Sequence, residues 1–167
     1  MHMVILGEAG AGKSTLLHHL AECAWVNPAN IGLDGPHLPV LVPLRRVAAA
    51  SGALPARLNH ALSAELALVQ DLPADFFTAW SQQTGARWLL LLDGLDEVLA
   101  NDCRAVANLI EGWARQTGGY RVVVTLRTAG YEALNARAFR HYTLLPFEPE
   151  QMDDFARKWF GDEAVNF

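Results

Sequence analysis

Gly7-Glu8-Ala9-Gly10-Ala11-Gly12-Lys13-Ser14 carries a glycine, four residues, then Gly-Lys-Ser. Glycines at this spacing let a loop take positive φ and bring successive backbone N–H groups up to phosphate oxygens. Lys13 supplies a point charge for the β- and γ-phosphates of a nucleoside triphosphate, Ser14 a hydroxyl ligand for Mg²⁺, and Thr15 a hydrogen bond for the α-phosphate. A helix starting here adds partial positive charge at its N-terminus. The run Gly7, Glu8, Ala9, Gly10, Ala11, Gly12, Lys13, Ser14 and Thr15 is therefore the expected nucleotide cradle. A glycine-rich turn before an unrelated helix would leave Lys13 merely solvated. Context separates the two, since the motif must follow a strand and open a helix.

Leu89-Leu90-Leu91-Leu92-Asp93-Gly94-Leu95-Asp96-Glu97 is the second chemical feature. A carboxylate that ends a central apolar strand lies on the carboxyl edge of the sheet, where ligands of open α/β folds bind. Asp93 is then expected to hold Mg²⁺ opposite Ser14, usually through water. Asp96 or Glu97, a few residues on, could orient or deprotonate an attacking water. Read alone, Asp93 could be a turn residue before Gly94, and the other two acids a favourable first helical turn.

Val122-Val123-Val124-Thr125-Leu126-Arg127 ends in polar groups. A strand lying between the phosphate-loop strand and the acidic strand would bring Arg127, or secondarily Thr125, to the γ-phosphate. Arg127 is the one arginine that the sequence puts near the site. Arg45 and Arg46 read as a solvated pair after a strand. His18 and His19 read as surface histidines without metal-ligand spacing.

These groups need a scaffold, and strand-like and helix-like patterns alternate through the chain. Met3 to Leu6 reads as a buried strand. Apolar residues at Leu16, Leu17, Leu20, Ala21 and Ala24 mark one face of a helix that Asn27-Pro28 ends. Pro39 to Leu44 reads as a second strand, its prolines pointing to a sheet edge. Leu54, Leu58, Ala61, Leu62, Leu66 and Val69 mark a second helix. Phe76, Phe77 and Trp80 mark a short third one, with Pro73 near its start. Arg87 to Asp93 is apolar on both faces, as in the middle of a covered parallel sheet. Val106, Leu109, Ile110 and Trp113 predict a helix stopped by Gly118-Gly119. Tyr120 to Leu126 predicts a fourth strand and His141 to Leu145 a fifth. Met152, Phe155 and Trp159 face one way on a last helix opening at Pro149. The alternation predicts an α/β, doubly wound, mainly parallel five-stranded sheet with helices on both faces.

The bulk composition agrees. The chain has 167 residues, 51% of them hydrophobic and 19% charged, which suits one ordinary globular domain with a sizeable core. A net charge of -5 argues against a domain built mainly to grip nucleic acid. Cys23 and Cys103 are too few for a disulfide framework and read as reduced, buried thiols. No apolar run approaches the roughly 18 residues that span a bilayer, and Met3 to Leu6 is too short for a signal peptide. The expected compartment is cytoplasmic.

Taken together, the residues resemble the NACHT family of P-loop NTPases. The resemblance rests on Gly7 to Leu17, on Pro39-Val40-Leu41-Val42-Pro43-Leu44-Arg45, and above all on Leu89 to Val98. There a small residue directly follows the magnesium aspartate and an Asp-Glu pair comes after it. Val123 to Tyr131 is similar to the family's sensor segment. Leu145 to Met152, followed by Phe155 and Trp159-Phe160, is similar to the start of its next helix. The likeness runs from about Val4 to Phe160. It implies a P-loop NTPase sheet that binds Mg²⁺ and ATP, with Asp93 and Ser14 at the metal and Glu97, Asp96 and Arg127 in catalysis. It further implies a signalling switch of the STAND class, moving between closed monomer and open oligomer in innate immunity or anti-phage defence. The chain departs from the family at Thr125-Leu126-Arg127-Thr128, where Thr-Ser-Arg-Pro is common. It is also expected to be a fragment lacking effector, helical, winged-helix and sensor domains, with Met1-His2-Met3 an expression scar.

Other classes are weighed against this one. A small-molecule P-loop kinase also begins with an apolar strand and a phosphate loop, but there is no arginine-rich lid here. A non-hydrolysing nucleotide-binding scaffold would share every binding residue. No Asn-Lys-x-Asp guanine-recognition segment is present, so ATP is the expected nucleotide, with GTP left open by family members that use it. Nucleotide is the expected partner, with self-association through the full-length protein. Neither nucleic acid nor membrane is expected.

Overall fold

In the computed structural model, residues 2–115, 120–128, 134 and 139–160 are described, the side chains of 159 and 160 excepted. Five strands form one sheet: β1 Met3–Leu6, β2 His37–Pro43, β3 Arg87–Asp93, β4 Tyr120–Leu126 and β5 Arg140–Thr143. The helices are α1 Lys13–Val26, α2 Leu44–Ala49, α3 Leu54–Glu65, α4 Phe76–Thr84, α5 Ala100–Ala114 and α6 Pro149–Phe160, with 3-10 turns at Pro28–Ile31 and Leu95–Glu97. The strand order is β2-β3-β4-β1-β5. Every pairing is parallel.

The apolar run Trp88 to Leu92 lies where its composition requires, between β2 and β4 and fully or almost fully buried. Because strand side chains alternate, it serves two cores. Trp88, Leu90 and Leu92 join Val122, Val124, Leu44, Leu58 and Ile110 on one face, under α2, α3 and α5. Leu89, Leu91 and Val123 join Ile5, Leu17 and Ala24 on the other, under α1. Helices therefore cover both faces. β2 is an edge strand, so its prolines 39 and 43 cost no interior ladder bonds.

Trp88 is the largest fully buried side chain. Its ring packs among Phe76, Phe77 and Trp80 at centroid distances of 5.3, 4.9 and 4.6 Å. Its indole Nε1 donates to the Phe77 carbonyl at 3.0 Å, which seats α4 against β3. Trp88→Phe removes that donor and leaves unfilled volume. It is expected to lower stability by about 1–3 kcal/mol, read from the urea unfolding midpoint.

Several boundaries differ from the sequence expectation. Leu44 is not the end of a strand but the first residue of α2, which carries Arg45 and Arg46. The second helix stops at Glu65, and Ala67 takes φ 49°. Leu66 and Val69 are exposed beyond it, and among the described residues no element covers them. The fifth strand begins at Arg140 and ends at Thr143. Cys23 and Cys103 are free thiols, but each is half-buried rather than buried. Gly118-Gly119 and the facing of Trp159 lie outside the described residues. Among the described residues no helix is long and apolar enough to cross a membrane.

Candidate functional site

β1 delivers the chain to the carboxyl edge of the sheet, and α1 carries it away. Between them Gly10 and Gly12 take φ of 75° and 85°, left-handed values that β-carbon-bearing residues rarely adopt. Nothing lies within 4 Å of where a Cβ would sit on either, so conformation and not crowding selects glycine. Gly12 is the N-cap of α1 and offers no side-chain cap. The first-turn N–H groups are thus not claimed by a capping side chain and suit an anion. Lys13 Nζ donates to the carbonyls of Gly7 and Glu8 at 2.8 and 2.9 Å, folding the lysine back over its own loop. An ammonium has three donors, so a third is left for a ligand.

Asp93 ends β3 on the same face as Leu89 and Leu91, because strand residues alternate. That is the α1 face, and Asp93 Oδ2 accepts from Ser14 Oγ at 2.6 Å. Its other oxygen accepts from the buried Thr125 hydroxyl at 2.5 Å. Thr125 Oγ1 in turn accepts from the Gly94 backbone at 2.9 Å. Thr125 thus fixes Asp93 from the neighbouring strand β4.

Beyond Asp93 the chain turns at Gly94, φ 72°, into the 3-10 turn that buries Leu95 and turns Asp96 and Glu97 to the cleft. Arg127, just past β4, holds Asp96 twice: its backbone N–H donates to Oδ1 at 3.0 Å and its Nε to Oδ2 at 2.9 Å. Arg45, in the first turn of α2, donates to Glu97 Oε2 at 2.8 Å. On the loop side, the Thr128 hydroxyl donates to Glu8 Oε1 at 3.2 Å, a tie that the family's common proline could not make. Behind the turn the Cys103 thiol lies 3.7 Å from the Leu95 carbonyl, and burial pushes its pKa up, keeping it a neutral donor.

These pieces enclose a cleft of about 320 Å³ lined by Ala9 to Thr15 and by Asp93, Gly94, Asp96, Glu97 and Arg127. Gly7 and Glu8 are not among its lining residues; their carbonyls accept from Lys13. β4 lies between β1 and β3, the order that brings Arg127 to the cleft. Two features escaped the sequence reading. Thr125, the second candidate for the γ-phosphate, bonds Asp93. Arg45 and Arg46 are exposed, as expected of a solvated pair, but each has an acidic partner: Arg45 reaches the acidic turn, and Arg46 bonds Glu65 at 2.6 Å. An arginine two residues past a strand end was the available signal, but its partner lies 52 residues further on. His18 and His19 are exposed. Among the described residues no group of three or more His, Cys, Asp or Glu side chains is arranged to hold a metal alone.

Such a cleft, lined by glycines and an uncapped helix start on one side and by strand-end carboxylates on the other, is built for a polyphosphate. Comparison with known proteins agrees. The family model of the NACHT domain matches residues 1–163. No curated protein matches the chain. The match covers almost the whole chain and carries nucleotide binding by an NTPase with it, so the chain belongs to the NACHT family of P-loop NTPases.

Proposed function

We propose that the chain binds Mg²⁺·ATP in this cleft and hydrolyses it slowly. The observation that carries the reading is the convergence of Lys13, Ser14, Asp93, Asp96, Glu97 and Arg127 on one cleft from three separate chain segments. The phosphate-loop N–H groups and Lys13 bind the β- and γ-phosphates, and Thr15 takes the α-phosphate. Ser14 Oγ and Asp93 Oδ2, 2.6 Å apart, are hard oxygen donors of the kind Mg²⁺ takes singly or in pairs beside phosphate. Bound there, the ion would offset charge on the phosphate oxygens.

Glu97 is the proposed general base. Both Asp96 oxygens are bound by Arg127, whereas Glu97 has one oxygen on Arg45 and a side chain 48% exposed. Asp96 then serves mainly to aim Arg127 at the γ-phosphate, and is the alternative base. ATP is preferred because the lysines are Lys13 and Lys158 and neither follows an asparagine, so no guanine-recognition segment of the Asn-Lys-x-Asp kind exists. Family membership extends the reading to a nucleotide-controlled signalling switch acting through self-association, as in innate immunity or anti-phage defence.

The test is ATP titration by calorimetry, with and without Mg²⁺, beside phosphate release. Asp93→Asn is expected to retain part of the nucleotide affinity while flattening its Mg²⁺ dependence. Steady-state release by these 167 residues alone is expected to fall well below about 1 per second. Among the described residues Arg127 is the one arginine that lines the cleft, and an added arginine finger is worth about 10³–10⁵ in rate. Turnover at about 1–10³ per second would instead mark a self-contained enzyme such as a small-molecule kinase.

A further inference from the structure

The acidic turn is held from both sides, and only one side is absorbed by the nucleotide site. Thr125 and Arg127, from β4, take Asp93 and Asp96. Arg45, from the β2 side, takes Glu97. The geometry around this second contact is well anchored. Pro43, the last residue of β2, is in register with Asp93. Leu44 and Val47, fully buried, fasten α2 to the core on either side of Arg45, while Leu95, also fully buried, fastens the turn that bears Glu97. Arg46, the next residue, bonds Glu65 and ties α2 to α3. Two fixed backbones thus meet through the Arg45 and Glu97 side chains.

Glu97 also leans on Gly94. A Cβ added there would lie 3.0 Å from Glu97 Cδ and 3.2 Å from its Cγ. The glutamate stem therefore crosses the bare face of Gly94, and its carboxylate ends at the Arg45 guanidinium. A half-exposed side chain with three rotatable bonds would otherwise sample several rotamers. An ion pair this exposed adds little to folding stability. Its consequence is orientation, since the single bond from Arg45 Nη1 at 2.8 Å pins one carboxylate oxygen while Gly94 limits the stem.

We propose that Arg45 is a positioning residue that sets the Glu97 carboxylate for the hydrolytic step without binding nucleotide itself. The proposal rests on the assignment of Glu97 as the base. Misplacing a reacting group by about 1 Å can cost up to about 10²-fold in rate. Because Arg45→Ala frees Glu97 without removing it, a loss in kcat of about tenfold is expected.

The experiment is single-turnover hydrolysis of γ-labelled ATP, followed over hours, beside calorimetric ATP affinity for each variant of the chain. Arg45→Ala is expected to slow hydrolysis about tenfold while affinity stays within about twofold. Arg45→Lys keeps the charge without the fork and is expected to recover part of the loss. Arg46→Ala breaks the neighbouring ion pair on the same helix and is expected to leave the rate unchanged. In a Glu97→Gln background Arg45→Ala is expected to cost nothing further, a non-additivity that a general loosening of the fold would not produce. A wild-type rate in Arg45→Ala, a full additional loss in the Glu97→Gln background, or an affinity that falls with the rate would each overturn the proposal. Failure of the underlying reading looks different. Unchanged ATP affinity in Lys13→Ala would remove the nucleotide site itself, and a wild-type chain with no hydrolysis above blank would remove Glu97 as base and this role with it.

Discussion

Lys13→Ala is expected to weaken Mg²⁺·ATP binding by at least about a hundredfold. A hydrogen bond to a charged group contributes roughly 1.5–3 kcal/mol, and the lysine meets two phosphates whose charge the alanine leaves uncompensated. About 3 kcal/mol is about two decades in Kd. A second loss adds to the first. Lys13 Nζ bridges the carbonyls of Gly7 and Glu8, so the substitution also unties the loop whose N–H groups form the cradle. The half-exposed lysine supports no part of the core, so the unfolding midpoint should hardly move. Calorimetric titration of wild type and variant measures the difference. Equal affinities would mean that phosphate binds elsewhere.

Glu97→Gln is expected to lower turnover by roughly 10²–10⁴-fold, the usual contribution of a general base, while ATP still binds. Glutamine keeps the shape of the side chain but cannot accept a proton from water at neutral pH, and it replaces the charged partner of Arg45 with a neutral one. Asp96→Asn is the comparison. Its two oxygens hold Arg127 at 3.0 and 2.9 Å, so weakening them should mainly loosen the arginine and produce a smaller loss. A larger loss from Asp96→Asn than from Glu97→Gln would reverse the two roles. Wild-type rates in both variants would mean that neither carboxylate takes the proton.

What could be read from the chain was what short-range physics controls. The glycines of the phosphate loop, the apolar run from Trp88 to Leu92 and the aspartate that closes it are signals within a dozen residues. Each has a local cause: left-handed backbone at Gly10 and Gly12, burial on both faces of β3, a charged group where that burial ends. Pro39 and Pro43 marked an edge strand for the same kind of reason, since a missing N–H is tolerable only where no second neighbour needs it. Periodicity failed where an element was short or its apolar side faced nothing. Helix α2, six residues long, spans under two turns and leaves no pattern to detect. Leu66 and Val69 continued a helical spacing into a segment whose apolar side chains, among the described residues, nothing covers.

The strand order decided the rest. Placing β3 between β2 and β4 carries Arg45 to Glu97 and Arg127 to Asp96, and it brings Thr125 onto Asp93. These partners lie between 31 and 52 residues apart in the chain. At such separations no helical or strand period links two side chains, and an exposed ion pair is too weak to impose a pattern on the sequence between them. The sequence by itself determined that a glycine-rich loop opening a helix and a strand-end carboxylate exist. Only the parallel ladder, which sets neighbouring strand ends about 5 Å apart on one edge, decided which distant groups hold them.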